Sequence, residues 1–452
     1  MKVKIKKFIV AVAFFMLLLT LSCGGGKEKN NLPTVSFICD NNATTLAILQ
    51  KEVVDFEKEY GIKVTLLPFT GQEKLYAMMA AGTPPDVFYT NSVMRDQLAA
   101  EGKILDFRII AGSDSFRNLM RPEAIEQGTS LDGGWYQLVN STFTYGIYYN
   151  KTFFDEAGIK YPDSLWTWDD LITIAQKLTK GGDRRTDRYG IYIPYYFVDA
   201  FERMNHAEFP KRGLIATAPN ESIETFQWYR DLTEKYHVMP TPLWIESLGM
   251  ETFQLLETGR VAMMIEMIPL LGMYQFLTIK WDIAPLPRKD GKSPLYFRGG
   301  SGGFSISATV KYPDAAWKFL TWWVSKSQIN YPNPMMKNVD FVGAWEQKVP
   351  YLKQTHFREV WKLSEEHSGG DWRNFVRYSS WTYNVFEEQL NPKYEQMLKG
   401  RISIEEYVNA IPEANKRVID ELNKVLSNPN IKPQFKEYIK EEMQNVERLV
   451  TK

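Results

Sequence analysis

The side chains that could make or break bonds are scattered along the 452 residues. Four histidines, His206, His237, His356 and His367, lack the short spacings that bring two imidazoles to one metal. The sequence contains no Gly-x-Ser-x-Gly elbow, no Walker loop and no His-Glu-x-x-His. The run Gly299, Gly300, Ser301, Gly302, Gly303 is not followed by the Gly-Lys-Ser/Thr of a phosphate loop. Its missing side chains suit backbone N–H groups that must approach a bound molecule closely. Pairs of Asp and Glu are plentiful, so glycosidic hydrolysis stays open on residue type alone, because two carboxylates at the right separation are what it requires. No metal and no organic cofactor is expected.

The other polar residues of interest stand directly after expected strands or at helix starts. Asn41, Asn42 and Thr44 follow the first expected strand, Tyr89 and Asn91 follow the third, and Gln72 stands at the start of a helix. Short amides and hydroxyls in such places both donate to and accept from the hydroxyls of a sugar. Further along, Tyr195, Tyr196, Glu266, Arg298, Gly300 and Ser301 are the expected contacts. Glu266 ends the apolar run 261–265, where a charge is costly unless it is paired or bound to a ligand; Arg298 is a candidate partner, and a plain salt bridge is the competing explanation. Trp244, Trp345 and Trp381 are candidate stacking platforms, and Trp381 is preferred because Arg377 and Tyr378 stand close by in sequence. Aromatic residues make up 14% of the chain; most are expected in the core, with a surplus for flat contacts to sugar rings.

The elements that must position these residues alternate. Residues 34–39 read as a strand, 45–60 as an amphipathic helix ended by Gly61, 62–69 as a strand, 73–81 as a helix and 86–89 as a third strand. Such alternation implies an α/β lobe with a largely parallel sheet, whose ligands sit beyond the carboxyl ends of the strands. Gly82 to Pro85 forms a stiff turn into the third strand. Residues 135–150 read as extended. Helices follow at 168–178, where Thr167 is placed to cap, and at 222–236 and 250–257. Residues 261–267 read as a buried strand, 281–287 and 299–307 as extended, and 313–324 as a helix; beyond that only helical segments are expected.

The first residues set four lysines before an uncharged apolar run, 8–19, and then Ser22 and Cys23. That order is a secretory signal peptide over residues 1–22, too short to span a bilayer. Ser22-Cys23-Gly24 resembles a bacterial lipobox, with Cys23 as the lipid acceptor, although Thr20 stands where Leu is usual; simple cleavage and release is the alternative. Four of the 54 basic residues fall in that segment, leaving 50 against 54 acidic ones, a net charge of −4. That balance argues against nucleic acid, which needs clustered Lys and Arg. With Cys23 lipidated, Cys39 has no partner and is expected as a small buried apolar residue. Residues 23–32 read as a polar, Gly-rich tether, and the length that follows suits two domains.

The segments "FEKEYGIKVTLLP" (56–68), "LYAMMAAGTPPDVFY" (75–89), "YYNKTFFDEAGIKYPDSLWTWDDLITIAQKL" (148–178), "FQLLETGRVAMM" (253–264), "WDIAPLP" (281–287) and "GGFSISATVKYPDAAWKFL" (302–320) occur in one order. Together they resemble the extracellular solute-binding proteins of ABC importers, the group that includes maltodextrin- and multiple-sugar-binding lipoproteins. The resemblance runs from Val35 to Val324. It implies a two-lobed, periplasmic-binding-protein-like α/β fold with a hinge and a cleft. Lobe one would comprise 33–144 and 283–330, and lobe two 145–282 and a helical 331–452. It further implies a monomeric, extracytoplasmic, lipid-anchored receptor that delivers a carbohydrate to membrane permease subunits and is no enzyme. The open alternatives are a non-sugar solute (a peptide, a polyamine or an organic anion) and a carbohydrate-active enzyme.

Overall fold

The computed structural model of the chain describes residues 32–39, 43–142, 144–182, 185–206, 218–268, 277–295, 301–327, 332–367, 381 and 383–450. The expected signal peptide, Cys23, Asn41, Asn42, Arg298, Gly300, Arg377 and Tyr378 lie outside them.

Two five-stranded sheets organise the chain. In the first, β1 (Thr34–Cys39), β2 (Lys63–Pro68) and β3 (Val87–Thr90) run parallel. They are joined by β4 (Leu138–Thr142) and by a late strand, Ser301–Ile306, in the order β2-β1-β3-late strand-β4. The second sheet contains β5 (Tyr145–Asn150), β6 (Lys180–Gly182), β7 (Arg185–Tyr192), β8 (Val261–Met267) and β9 (Trp281–Ala284), in the order β6-β7-β8-β5-β9. The late strand is β10, antiparallel to both β3 and β4.

The strands form where the apolar pattern says they should. All six residues of β5 are buried, as are the first six of β8, the signature of strands covered on both faces. The helix Trp168–Leu178 starts with a full capping box: the Thr167 hydroxyl accepts from Asp170 N, and the Asp170 carboxylate accepts from Thr167 N. Asp86, the last residue of the Gly-Thr-Pro-Pro-Asp turn, accepts from both Ser36 N and Ser36 Oγ at 2.7 Å. The motif therefore ties the start of β3 to β1 and has a structural duty.

Among the described residues most rings are core. In lobe one, Phe37, Phe304, Phe319 and Trp323 meet at centroid distances of 5.0–5.9 Å. In lobe two, Trp168 stacks on Trp228 at 4.1 Å.

The chain crosses between the sheets from β4 to β5, from β9 to β10, and again beyond β10. Three expected boundaries shift. β9 includes Ile283 and Ala284 and pairs with β5, so lobe one resumes later than residue 283. Met335 packs in the lobe-one core, and its carbonyl accepts from Arg121 N at 2.9 Å, so lobe one extends past residue 330. The closing helices are not confined to lobe two. In Ile404–Ser427 the first half sends Tyr407, Ile411 and Ala414 into the lobe-two core. Its second half sends Val418 and Leu422 into a cluster with Ile38, Leu75 and Phe88 of lobe one, which Phe435 and Ile439 of the helix Pro433–Val450 complete. The 3.6-residue period that announces those helices says which face is apolar but not which lobe it meets.

Candidate functional site

Strand direction decides where the site lies. β1, β2, β3 and β4 all run toward one edge of the first sheet, and β10 begins there, with Ser301 opposite Thr142 and Gly303 opposite Thr90. In the second sheet β7, β8 and β9 end at the edge where β5 begins, with Tyr145 opposite Met267. Only two residues separate Thr142 from Tyr145, so these edges lie at most about 11 Å apart at the crossing. The carboxyl ends of both sheets thus face one another, where ligands of open α/β sheets bind.

The lobe-one edge gathers several of the residues singled out by sequence. Gln72 opens the helix Gln72–Ala80 and is exposed. Asn91 caps the helix Ser92–Ala100, its Oδ1 accepting from Met94 N at 2.9 Å, which leaves its amide N–H groups to donate. Tyr89 is 37% exposed, stands edge-on to Phe304 at 5.8 Å, and its phenol reaches over Gly302; burial pushes its pKa up. Behind it the edge is fixed by a chain of hydrogen bonds that only one set of proton positions satisfies. Ser305 Oγ donates to Tyr136 O at 2.8 Å, so the Thr90 hydroxyl donates to Ser305 Oγ at 2.8 Å, and Gln137 Nε2 donates to Thr90 Oγ1 at 3.0 Å. Thr44, expected in a loop, sits instead in the first turn of the helix Ala43–Tyr60, and Ser301 opens β10.

At the lobe-two edge, β7 runs into Pro194 and a short turn of 3₁₀ helix, Tyr195–Phe197. Tyr196 is 47% exposed there, with its ring against Phe197 at 4.7 Å and edge-on to Tyr195 at 5.5 Å. Glu266 is 4% exposed. Its Oε2 accepts from the Thr252 hydroxyl at 2.8 Å and its Oε1 from Met267 N at 2.9 Å. Burial raises its pKa, and those two hydrogen bonds pull it back in part. Burial and the nearby Glu266 charge push Tyr192 up to about 12 and raise Tyr196 as well.

Two residues at this edge escaped the sequence reading: Tyr192 and Thr252. Tyr192 lies in a run that reads as core, as does Tyr145, which is indeed buried in the lobe-two core. Thr252 is 14 residues from Glu266, beyond the reach of any local pattern.

One of the three tryptophans departs from expectation. Trp381 is 5% exposed and packs against Phe435 at 6.0 Å and Tyr438 at 6.4 Å. Its ring is committed to the cluster under the closing helices, so it is no free stacking platform. Trp345 is partly buried on the helix Phe341–Lys348, with Phe341 at 6.4 Å and Lys348 Nζ 5.3 Å from its ring. Trp244 stands edge-on to Tyr189 at 5.1 Å. Among the described residues, the exposed rings at the facing edges are the tyrosines Tyr89 and Tyr196.

The model of one protein family, bacterial extracellular solute-binding protein, matches residues 41–329. The chain belongs to this family. Its place is accordingly extracytoplasmic, and the match spans nearly the stretch from which the resemblance was read.

Among individual relatives of this solute-binding protein, an uncharacterized ABC transporter extracellular-binding protein of Pyrococcus horikoshii is 31% identical over 148 residues, 29% of this chain and 33% of that one. An arabinooligosaccharide-binding protein of Halalkalibacterium halodurans is 26% identical over 180 residues, 38% of this chain and 39% of that one. The chain therefore matches a third to two-fifths of the length of these relatives. Among solved structures, an ABC substrate-binding protein of Listeria monocytogenes in complex with cycloalternan superposes with a TM-score of 0.71 at 21% identity, over 87% of this chain and all of that one. A maltose/maltodextrin-binding domain of Bdellovibrio bacteriovorus bound to maltotriose gives 0.64 at 20% identity, over 85% and 99%. These likenesses establish the two-lobed fold.

Proposed function

We propose that this solute-binding protein captures a carbohydrate between the facing strand ends of its two lobes and delivers it to the permease of an ABC importer. One observation carries the reading: each lobe brings an exposed tyrosine ring, Tyr89 and Tyr196, to the edge that faces the other. A flat ring offers apolar area to the C–H face of a sugar, while the phenols and the Asn91 amide exchange hydrogen bonds with its hydroxyls. The carbohydrate named for the Listeria, Bdellovibrio and Halalkalibacterium relatives points the same way. Gripping from both sides favours the closed arrangement, because only that form makes both sets of contacts. Signal-peptide removal and a lipid on Cys23 would hold the monomer at the outer face of a membrane, close to the permease.

The test is a calorimetric titration of the purified chain, lacking residues 1–22, with arabino-, malto- and manno-oligosaccharides. Saturable heat with at least one of them, and no change in the sugar's length afterwards, is the expected result. Shortened products would favour an enzyme, and silence across the series would refute the carbohydrate reading.

A further inference from the structure

One helix belongs to both lobes. Ile404–Ser427 is unbroken over 24 residues, and its buried side chains form a single stripe. Along that stripe the surroundings change. Tyr407, Ile411 and Ala414 sit in the lobe-two core, where the Tyr407 ring meets Phe226 at 5.9 Å and Tyr394 at 5.6 Å. Val418 and Leu422, further along the same face, share a cluster with Ile38 of β1 and Phe88 of β3 in lobe one. The chain then stays with lobe one. Lys432 N donates to Ala100 O at 3.0 Å, and Lys432 Nζ donates to the Tyr136 hydroxyl at 2.9 Å and stands 3.7 Å from Asp132. The two halves of the helix are thus tied to different lobes.

An uninterrupted helix tied in this way resists any change in the angle between the lobes, and the sequence relieves it at one place. Pro412 stands inside the helix, on its exposed face. A proline there has no N–H to donate, so the carbonyl of Val408 loses its helical partner, and the ring crowds that carbonyl. Helices bend sharply at such positions. Because Pro412 is exposed, its ring fills no place in either core, and its effect is on the backbone.

We propose that the helix Ile404–Ser427 is a flexing strap between the lobes, and that the turn from Val408 to Pro412 is where it bends when the cleft closes on its solute. Tyr407 and Ile411 hold the near side of the bend in lobe two, and Val418 and Leu422 hold the far side in lobe one. The apolar residue between them, Ala414, is a single methyl that shifts at little cost. Two-sided capture, on which this inference rests, supplies the motion; the strap sets how hard that motion is.

The experiment compares wild type, Pro412→Ala and Pro412→Gly by calorimetric titration with the tightest sugar of the oligosaccharide series and by amide hydrogen exchange of the empty proteins. Both substitutions restore the N–H that the Val408 carbonyl lacks, but alanine stiffens the helix while glycine leaves it pliable. Pro412→Ala should slow exchange in the turns on either side of position 412 several-fold. It should also raise Kd roughly two- to twelvefold, the equivalent of one backbone hydrogen bond that a bend must now break, about 0.5–1.5 kcal/mol. Pro412→Gly should bind close to wild type, whereas a merely local role for the ring would move both variants alike. An unchanged or lower Kd in Pro412→Ala, an equal rise in both variants, or exchange that does not slow would each overturn the strap while leaving carbohydrate binding standing. A wild type that binds no sugar overturns both.

Discussion

Replacing Gly302 by alanine should weaken solute binding without unfolding the protein, and the structure says why. A Cβ at Gly302 would stand 2.4 Å from the Tyr89 hydroxyl and 2.7 Å from its Cε2, well inside contact distance. Something has to shift, and the atoms in the way belong to the far end of a side chain that is 37% exposed. The tyrosine can swing outward at little cost, so stability should stay within about 1 kcal/mol of wild type. What is lost is the placement of the ring. Aromatic packing contributes about 0.5–1.5 kcal/mol beyond buried area, and about 1.4 kcal/mol is a factor of ten in Kd. Gly302→Ala should therefore raise Kd roughly two- to twelvefold, and Tyr89→Ala by at least as much. Because the glycine acts only through the tyrosine, the double variant should bind like Tyr89→Ala alone, a non-additivity that a double-mutant cycle reads directly. Calorimetry on all four proteins is the assay. An unchanged Kd in Gly302→Ala, or penalties that simply add, would refute the proposed role of Tyr89.

Other consequences are independent of the solute. Trp381→Ala should cost stability, about 3–5 kcal/mol as for other buried aromatics, read as a lower urea midpoint at constant slope; a normal midpoint with a selective loss of binding would restore Trp381 to the cleft. Thr167→Ala removes half of a capping box and should cost about 0.5–2 kcal/mol in the same assay. The raised pKa of Glu266 means that the folded form holds its proton more tightly than the unfolded chain. Its contribution to stability is present at acid pH and lost as pH rises from the ordinary carboxylate range through the raised value. Urea titrations of the empty protein from about pH 4 to pH 8 should show the difference between Glu266→Gln and wild type growing in favour of the variant, and a difference that does not change with pH would contradict that environment.

The fold was legible where one residue type carries one meaning. The apolar run 261–265 reads as a strand covered on both faces and is one, Gly61 with a positive φ ends its helix, and Thr167 caps as its type and place suggest. The edges of the sheets were legible for the same reason: polar residues directly after a strand have nowhere to go but the strand end. Legibility failed where a side chain's role depends on what a distant segment brings. Trp381 reads as a platform until Phe435 and Tyr438 close over it. Glu266 also receives a hydroxyl that the sequence did not announce, from Thr252, while its expected partner Arg298 lies outside the described residues. The closing helices look like lobe-two elements in sequence, yet one helix sends its two halves into different cores.

The most direct test of capture between the lobes is small-angle X-ray scattering of the chain with and without a sugar that calorimetry has shown to saturate it. A grip from both edges predicts a smaller radius of gyration and a shorter maximum dimension in the saturated protein. Superimposable curves at full occupancy would contradict it, because a solute held by one edge alone has no reason to draw the other toward it.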